Sequence, residues 1–118
     1  MIYLIDDDKY VRRGFEIFLK SGGMDLVSFE SAEDFLAAVK PGVKDMLILD
    51  LHLPGLNGCD LLKKMNQEGI HIPVIVVTAF EDIQSRECCR QYGVKAYLRK
   101  PVDGEALSDL IKYNIKEA

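Results

Sequence analysis

The sequence predicts an α/β fold in which a parallel β-sheet lies between two layers of helices. Short apolar runs alternate five times with stretches of helical periodicity. Three of the runs, Ile2-Tyr3-Leu4-Ile5, Met46-Leu47-Ile48-Leu49 and Val74-Ile75-Val76-Val77, are continuous rather than alternating. Strands of that kind are buried on both faces, as in a parallel sheet covered by crossover helices. Gly and Pro fall between the runs and not inside them.

Each element follows in turn. Ile2 to Ile5 is the first strand. Lys9 to Lys20 is a helix with Val11, Phe15, Phe18 and Leu19 on one face, ended by Gly22-Gly23. Leu26 to Phe29 is the second strand. Ser31 caps a helix whose inner face carries Ala32, Phe35, Leu36 and Val39, with Pro41-Gly42 as its stop. Met46 to Leu49 is the third strand and runs straight into Asp50. A loop with Pro54, Gly55 and Gly58 leads to a third helix carrying Leu61, Leu62 and Met65. Pro73 introduces the fourth strand, Val74 to Val77. A fourth helix runs from about Glu81 to Tyr92 with a weak apolar face. Ala96-Tyr97-Leu98 is the fifth strand, Lys100-Pro101 a turn, and the last helix places Leu107, Leu110, Ile111 and Ile115 at helical spacing.

The 118 residues suit one compact domain, residues 1–118, and 48% hydrophobic content supplies a core. No apolar run is long enough to cross a membrane, and the first one stops at Asp6-Asp7-Asp8 instead of forming a signal peptide. Cytoplasmic location is the expectation. A net charge of −4 argues against a nucleic-acid surface on this domain. Cys59, Cys88 and Cys89 lack zinc-ligand spacing. They are expected to be small, partly buried side chains in a reducing compartment.

The ends of the strands carry the chemistry. Ligands of parallel sheets sit beyond the carboxyl ends of the strands, where strand order reverses. The first strand ends in Asp6-Asp7-Asp8, the third in Asp50, the fourth in Thr78-Ala79, and the fifth leads to Lys100. Two carboxylates about 4 Å apart repel by roughly 4 kcal/mol at an effective dielectric of ~20. Such a cluster either takes up protons or binds a cation. Hard oxygen ligands favour Mg²⁺, which binds one or two carboxylates and adds a phosphate oxygen when one is offered. The carboxylate beside the metal is then a nucleophile toward phosphorus. The blander alternative is that acidic residues at loop ends only cap helices, and Asp8 fits that role for the first helix.

Four segments together resemble the response-regulator receiver domains of two-component systems: Ile5-Asp6-Asp7-Asp8, the run Leu49 to Gly58, Val77-Thr78-Ala79 and Tyr97-Leu98-Arg99-Lys100-Pro101. The resemblance covers essentially the whole chain. It implies a doubly wound, flavodoxin-like (βα)5 three-layer sandwich with sheet order 2-1-3-4-5. It implies that Asp50 is the phosphoacceptor, that Asp7, Asp50 and the backbone carbonyl of His52 bind Mg²⁺ (or Mn²⁺), and that Asp6 holds the metal through water. Thr78, the Ala79 N–H and Lys100 would meet phosphoryl oxygens, and the peptide before Pro101 would be cis. Thr78 and Tyr97 match the family's switch pair; the plainer alternative for Tyr97, a half-buried strand aromatic, is the less favoured. Gly58 would meet a backbone need that a side chain would obstruct.

By the same resemblance the partner is a sensor histidine kinase or phosphotransfer protein. A second copy is a further partner, through the fourth helix, fifth strand and fifth helix. The domain is a switch, not an enzyme with its own substrate. Val102 stands where many members carry phenylalanine. His52 and Phe80 occupy positions that tune the lifetime of the phosphoryl group, and a bulky Phe80 would slow hydrolysis. His52 is not expected to ligate the metal through its ring, and His71 is a loop residue. Two rivals are weaker. A phosphohydrolase of the haloacid-dehalogenase type would use Asp6-x-Asp8 but leaves the Asp50 loop unexplained. A nucleotide- or flavin-binding domain would need a Gly-rich phosphate loop where Asp6-Asp7-Asp8-Lys9 stands.

Overall fold

A computed structural model of the chain describes residues 1–40, 42, 45–80 and 82–117, the last three of these as backbone. The strands are β1 (Ile2–Ile5), β2 (Leu26–Phe29), β3 (Met46–Leu49), β4 (Val74–Thr78) and β5 (Ala96–Arg99). The helices are α1 (Lys9–Ser21), α2 (Ala32–Ala38), α3 (Gly58–Gln67), α4 (Ile83–Gln91) and α5 (Gly104–Glu117). All pairings are parallel and the order is β2-β1-β3-β4-β5, so the chain is a doubly wound, flavodoxin-like sandwich.

Alternation along each strand divides the core in two. Tyr3, Ile5, Leu47, Leu49, Val74 and Val76 point to one face, where they meet Phe35 of α2 and Leu61, Leu62 and Met65 of α3. Ile2, Leu4, Met46, Ile48, Ile75 and Val77 point to the other, against Leu19 of α1 and Leu107 and Ile111 of α5. Both faces of the central strands are therefore covered. Every residue of β3 and β4 is buried, whereas edge strand β5 is only partly so.

Helix starts follow from local chemistry. The side chains of Asp8, Ser31, Asn57 and Asp82 accept backbone N–H bonds at the starts of α1, α2, α3 and α4. The fourth helix begins at Ile83, two residues later than the apolar pattern implied, because Asp82 takes the capping position. Glu81 and the Pro41 half of the predicted second-helix stop lie outside the described residues, as does the Ile115 side chain.

Two expectations are corrected. Phe18, assigned to the inner face of α1, is 42% exposed. Its ring instead covers the start of α5, where a Cβ on Gly104 would come within 2.7 Å of it. Cys59 and Cys88 are not merely small side chains: they form a disulfide joining α3 to α4, with a Cα–Cα distance of 6.0 Å. Cys89 is buried and free, as expected.

Candidate functional site

Strand register builds the site. Ile5 of β1 pairs with Leu49 of β3, so the next residues, Asp6 and Asp50, emerge side by side at the point where strand order reverses. The Asp50 N–H donates to the Ile5 carbonyl at 3.0 Å, which fixes the two strand ends together. The turn after β1 is tied down as well. The Asp8 N–H donates to Asp6 Oδ1 at 2.9 Å, and Arg12 Nη1 donates to the Asp6 carbonyl at 2.7 Å. Asp8 caps α1, so its carboxylate serves the helix, while Asp7 stays exposed.

Lys100 follows β5 across a backbone bond from its N–H to the Thr78 carbonyl, 2.8 Å. The Lys100–Pro101 peptide is cis. Lys100 Nζ donates to Asp6 Oδ2 at 2.6 Å and to Asp50 Oδ2 at 3.3 Å. The contact with Asp6 was not anticipated, since it joins residues 94 apart in sequence. It explains how Asp6 is tolerated with no exposed surface: a buried carboxylate requires a charged or hydrogen-bonded partner.

Two ionisations are displaced by this geometry. Burial pushes the Asp50 carboxyl above its ordinary value. The His52 N–H and the Lys100 charge act against burial, and the Asp6 charge adds to it. Burial alone would lower Lys100, but its bond to Asp6 and the charges of Asp50 and Asp6 outweigh burial and raise it. The site thus holds more negative charge than one lysine neutralises. Carboxylate oxygens of Asp6, Asp7 and Asp50 lie within 4.8 Å of one another, a hard, all-oxygen set that fits a small divalent cation.

Beside this cluster opens a pocket of about 580 Å³ lined by Asp50, His52, Ala79, Phe80 and Asp82. The carbonyl of Phe80 is its focal point. Thr78, fully buried at the end of β4, donates its hydroxyl to that carbonyl at 3.1 Å and accepts the Phe80 N–H at 3.3 Å. His52 Nε2 lies 3.0 Å from the same oxygen, and the Tyr97 hydroxyl donates to it at 3.5 Å. The His52 ring is therefore engaged with the Phe80 turn. The exposed Phe80 ring stands edge-on to it, with centroids 5.9 Å apart. Tyr97 is half-buried under the Arg86 guanidinium, 5.1 Å from its ring centroid.

Other positions fall as follows. An added Cβ on Gly58 would lie 2.6 Å from Leu51 Cα and 2.9 Å from the Asp50 carbonyl, so the start of α3 packs directly on the Asp50 turn. Val102 packs half-buried on the α1–α5 side of the core, and His71 is exposed in a loop. Asp82 was missed by the sequence argument. It accepts from the Ser85 N–H at 2.7 Å and from the Ser85 hydroxyl at 3.1 Å, and an Asp-x-x-Ser cap signal was there to find it.

A doubly wound sheet that brings three carboxylates, a lysine and a threonine to its switch point defines a class: flavodoxin-like domains with an acidic centre suited to a hard cation. Comparison with known sequences narrows the class. Residues 2–112 match the profile of the response regulator receiver domain, and the chain belongs to that family. It is a receiver domain of two-component response regulators. Nodulation protein W of Bradyrhizobium diazoefficiens is 32% identical over 111 residues, 94% of this chain and 49% of that protein. The transcriptional regulatory protein FixJ of Azorhizobium caulinodans is 32% identical over 114 residues, 97% of this chain and 54% of that protein. The chain thus spans about half the length of these relatives. Among solved structures, FixJ-N superposes with a TM-score of 0.88 at 26% identity, covering 99% of this chain and 94% of that one. A CheY-like receiver domain protein from Methanospirillum hungatei gives 0.89 at 25%, with 98% and 93% covered.

Proposed function

We propose that this domain accepts a phosphoryl group on Asp50 from a sensor histidine kinase or phosphotransfer protein and changes conformation in response. The observation that supports this most is the position of Asp50. Its carboxylate is buried at the end of a central strand, borders an open pocket, and is flanked by Asp6, Asp7 and Lys100. In the transfer, a carboxylate oxygen of Asp50 forms a bond to phosphorus as the phosphorus–nitrogen bond of a phosphohistidine breaks. The imidazole leaves with that electron pair. Asp6, Asp7, Asp50 and the His52 carbonyl are the groups that would hold Mg²⁺ (or Mn²⁺), whose charge offsets that of the phosphoryl oxygens. Lys100 and Thr78 supply a cation and a hydroxyl to the remaining oxygens, and the N–H of Ala79, which lines the pocket, is a further donor.

The switch follows from the Phe80 carbonyl. Thr78 cannot serve a phosphoryl oxygen and the Phe80 carbonyl with one hydroxyl proton. Phosphorylation therefore releases the Phe80 turn, and Tyr97 follows into the space that Thr78 vacates. The face formed by α4, β5 and α5 then meets a partner or a second copy of the chain. The domain works in the cytoplasm as a regulatory module without a separate substrate or direct nucleic-acid contact. Phe80 stands where water must approach, so Phe80→Ala speeds loss of the phosphoryl group. An unchanged hydrolysis rate would remove that role.

Intact mass after incubation with acetyl phosphate and Mg²⁺ tests the reading. Wild type gains one phosphoryl group, and neither Asp50→Asn nor wild type without Mg²⁺ gains any. Equal gain by wild type and Asp50→Asn would place the nucleophile elsewhere.

A further inference from the structure

We propose that Cys59 and Cys88 are a reversible oxidation site, and that their disulfide holds α4 on α3 and weakens the response of the Asp50 site. The inference rests on the receiver reading above for its consequence, though not for the chemistry.

Position carries the argument. Cys59 is the second residue of α3, next to Gly58, which packs on the Asp50 turn. Cys88 lies near the far end of α4. Both are half-buried and both line an open groove of about 640 Å³, shared with His52, Pro54, Asp82 and Ser85, so small thiols and disulfides have access. The Cα–Cα distance of 6.0 Å across the bond falls in the usual range for a disulfide. Cys89, the neighbouring thiol, is buried and its ionisation is pushed up to about 11, which keeps it out of exchange.

The helix being tethered buries little apolar surface: within α4 the buried residues are Ser85 and Cys89. The chain between the two cysteines contains β4, Thr78 and the Phe80 turn. A bond there closes the segment that must rearrange when Thr78 leaves the Phe80 carbonyl. In a reducing compartment the pair stays as thiols, and the bond forms when a disulfide oxidant such as oxidised glutathione accumulates. Each cysteine gives up one proton and one electron. The glutathione disulfide takes up both electrons and both protons and leaves as two thiols.

The test uses the whole chain equilibrated in glutathione buffers of increasing oxidised fraction. Intact mass and peptide mapping follow the bond, amide hydrogen exchange follows residues 83–91, and beryllofluoride with Mg²⁺ probes the Asp50 site. On oxidation we expect loss of two hydrogen atoms, a Cys59–Cys88 peptide, at least tenfold slower exchange in α4, and at least tenfold weaker beryllofluoride binding. Cys59→Ser and Cys88→Ser abolish all of these changes, and Cys89→Ser abolishes none. Failure of the bond to form, pairing through Cys89, or unchanged exchange in α4 would each overturn the proposal. So would equal beryllofluoride binding by oxidised protein and by reduced protein that does bind it. If the reduced protein binds no beryllofluoride, the phosphoacceptor reading fails, and the clamp is still judged by the mass and exchange measurements.

Discussion

At the residue scale, Lys100 and Gly58 constrain the site in different ways. Lys100 is the positive partner of fully buried Asp6. Removing one member of such a pair leaves an uncompensated charge, so Lys100→Ala should cost about 3 kcal/mol. Because the loss is of charge more than of packing, Mg²⁺ bound by the same carboxylates should restore part of it. Urea unfolding with EDTA and with Mg²⁺ measures both effects, and equal losses in the two conditions would show that the lysine contributes packing instead. Gly58 has no such remedy. A methyl group there meets the backbone of Leu51 and Asp50. Gly58→Ala should therefore destabilise the fold by about 1–3 kcal/mol, equally in EDTA and in Mg²⁺, and slow the Mg²⁺-dependent phosphorylation of Asp50.

At the element scale, α4 buries little apolar surface. Its buried residues are Ser85 and Cys89, and Cys89 is 6% exposed. Burial raises its thiol from 9.0 to about 11, with Arg86 acting in the opposite sense. The unfolded chain thus releases this proton before the folded one does. The stability contributed by the neutral thiol is complete below pH 9.0 and is lost as pH rises through about 11. Cys89→Ala should flatten the fall in stability across that window, and an unchanged slope would assign the fall to Lys100 and Tyr3, which are raised as well. The elements also show what the sequence made legible. The continuous apolar runs announced β1, β3 and β4, because strands covered on both faces cannot alternate. The carboxylates that follow β1 and β3 announced the acidic cluster. The disulfide was not legible, since its cysteines are 29 residues apart on separate helices whose packing no local pattern encodes. Nor was the Lys100–Asp6 bond, which depends on the path of a long side chain across strand ends. Phe18 was misplaced because helical periodicity cannot tell a ring under the sheet from one lying over Gly104.

For the whole molecule, the fold gathers carboxylates at one sheet edge, where the proposed chemistry would use them. The sheet places Asp6 and Asp50 adjacent by register, and one lysine offsets only part of their repulsion. Stability and function should therefore oppose each other at this edge, and Asp50→Asn separates them. Burial raises the Asp50 carboxyl, so its ionisation costs the folded state more than the unfolded one. The stability associated with the neutral form is lost as pH rises through the folded value, and at neutral pH wild type carries that deficit. In EDTA at pH 7 the uncharged variant should melt above wild type. Mg²⁺ should reverse the order. At about a hundred times its dissociation constant a ligand specific for the folded state adds about 2.7 kcal/mol, or roughly 10 °C for a domain of this size. Asp50→Asn has lost one of the three carboxylates and should gain much less. Melting curves that cross in this way would show that the acidic edge is held against the preference of the fold in order to bind a cation. A variant less stable than wild type without metal would mean that Asp50 contributes more through its bonds to His52 and Lys100 than its burial costs.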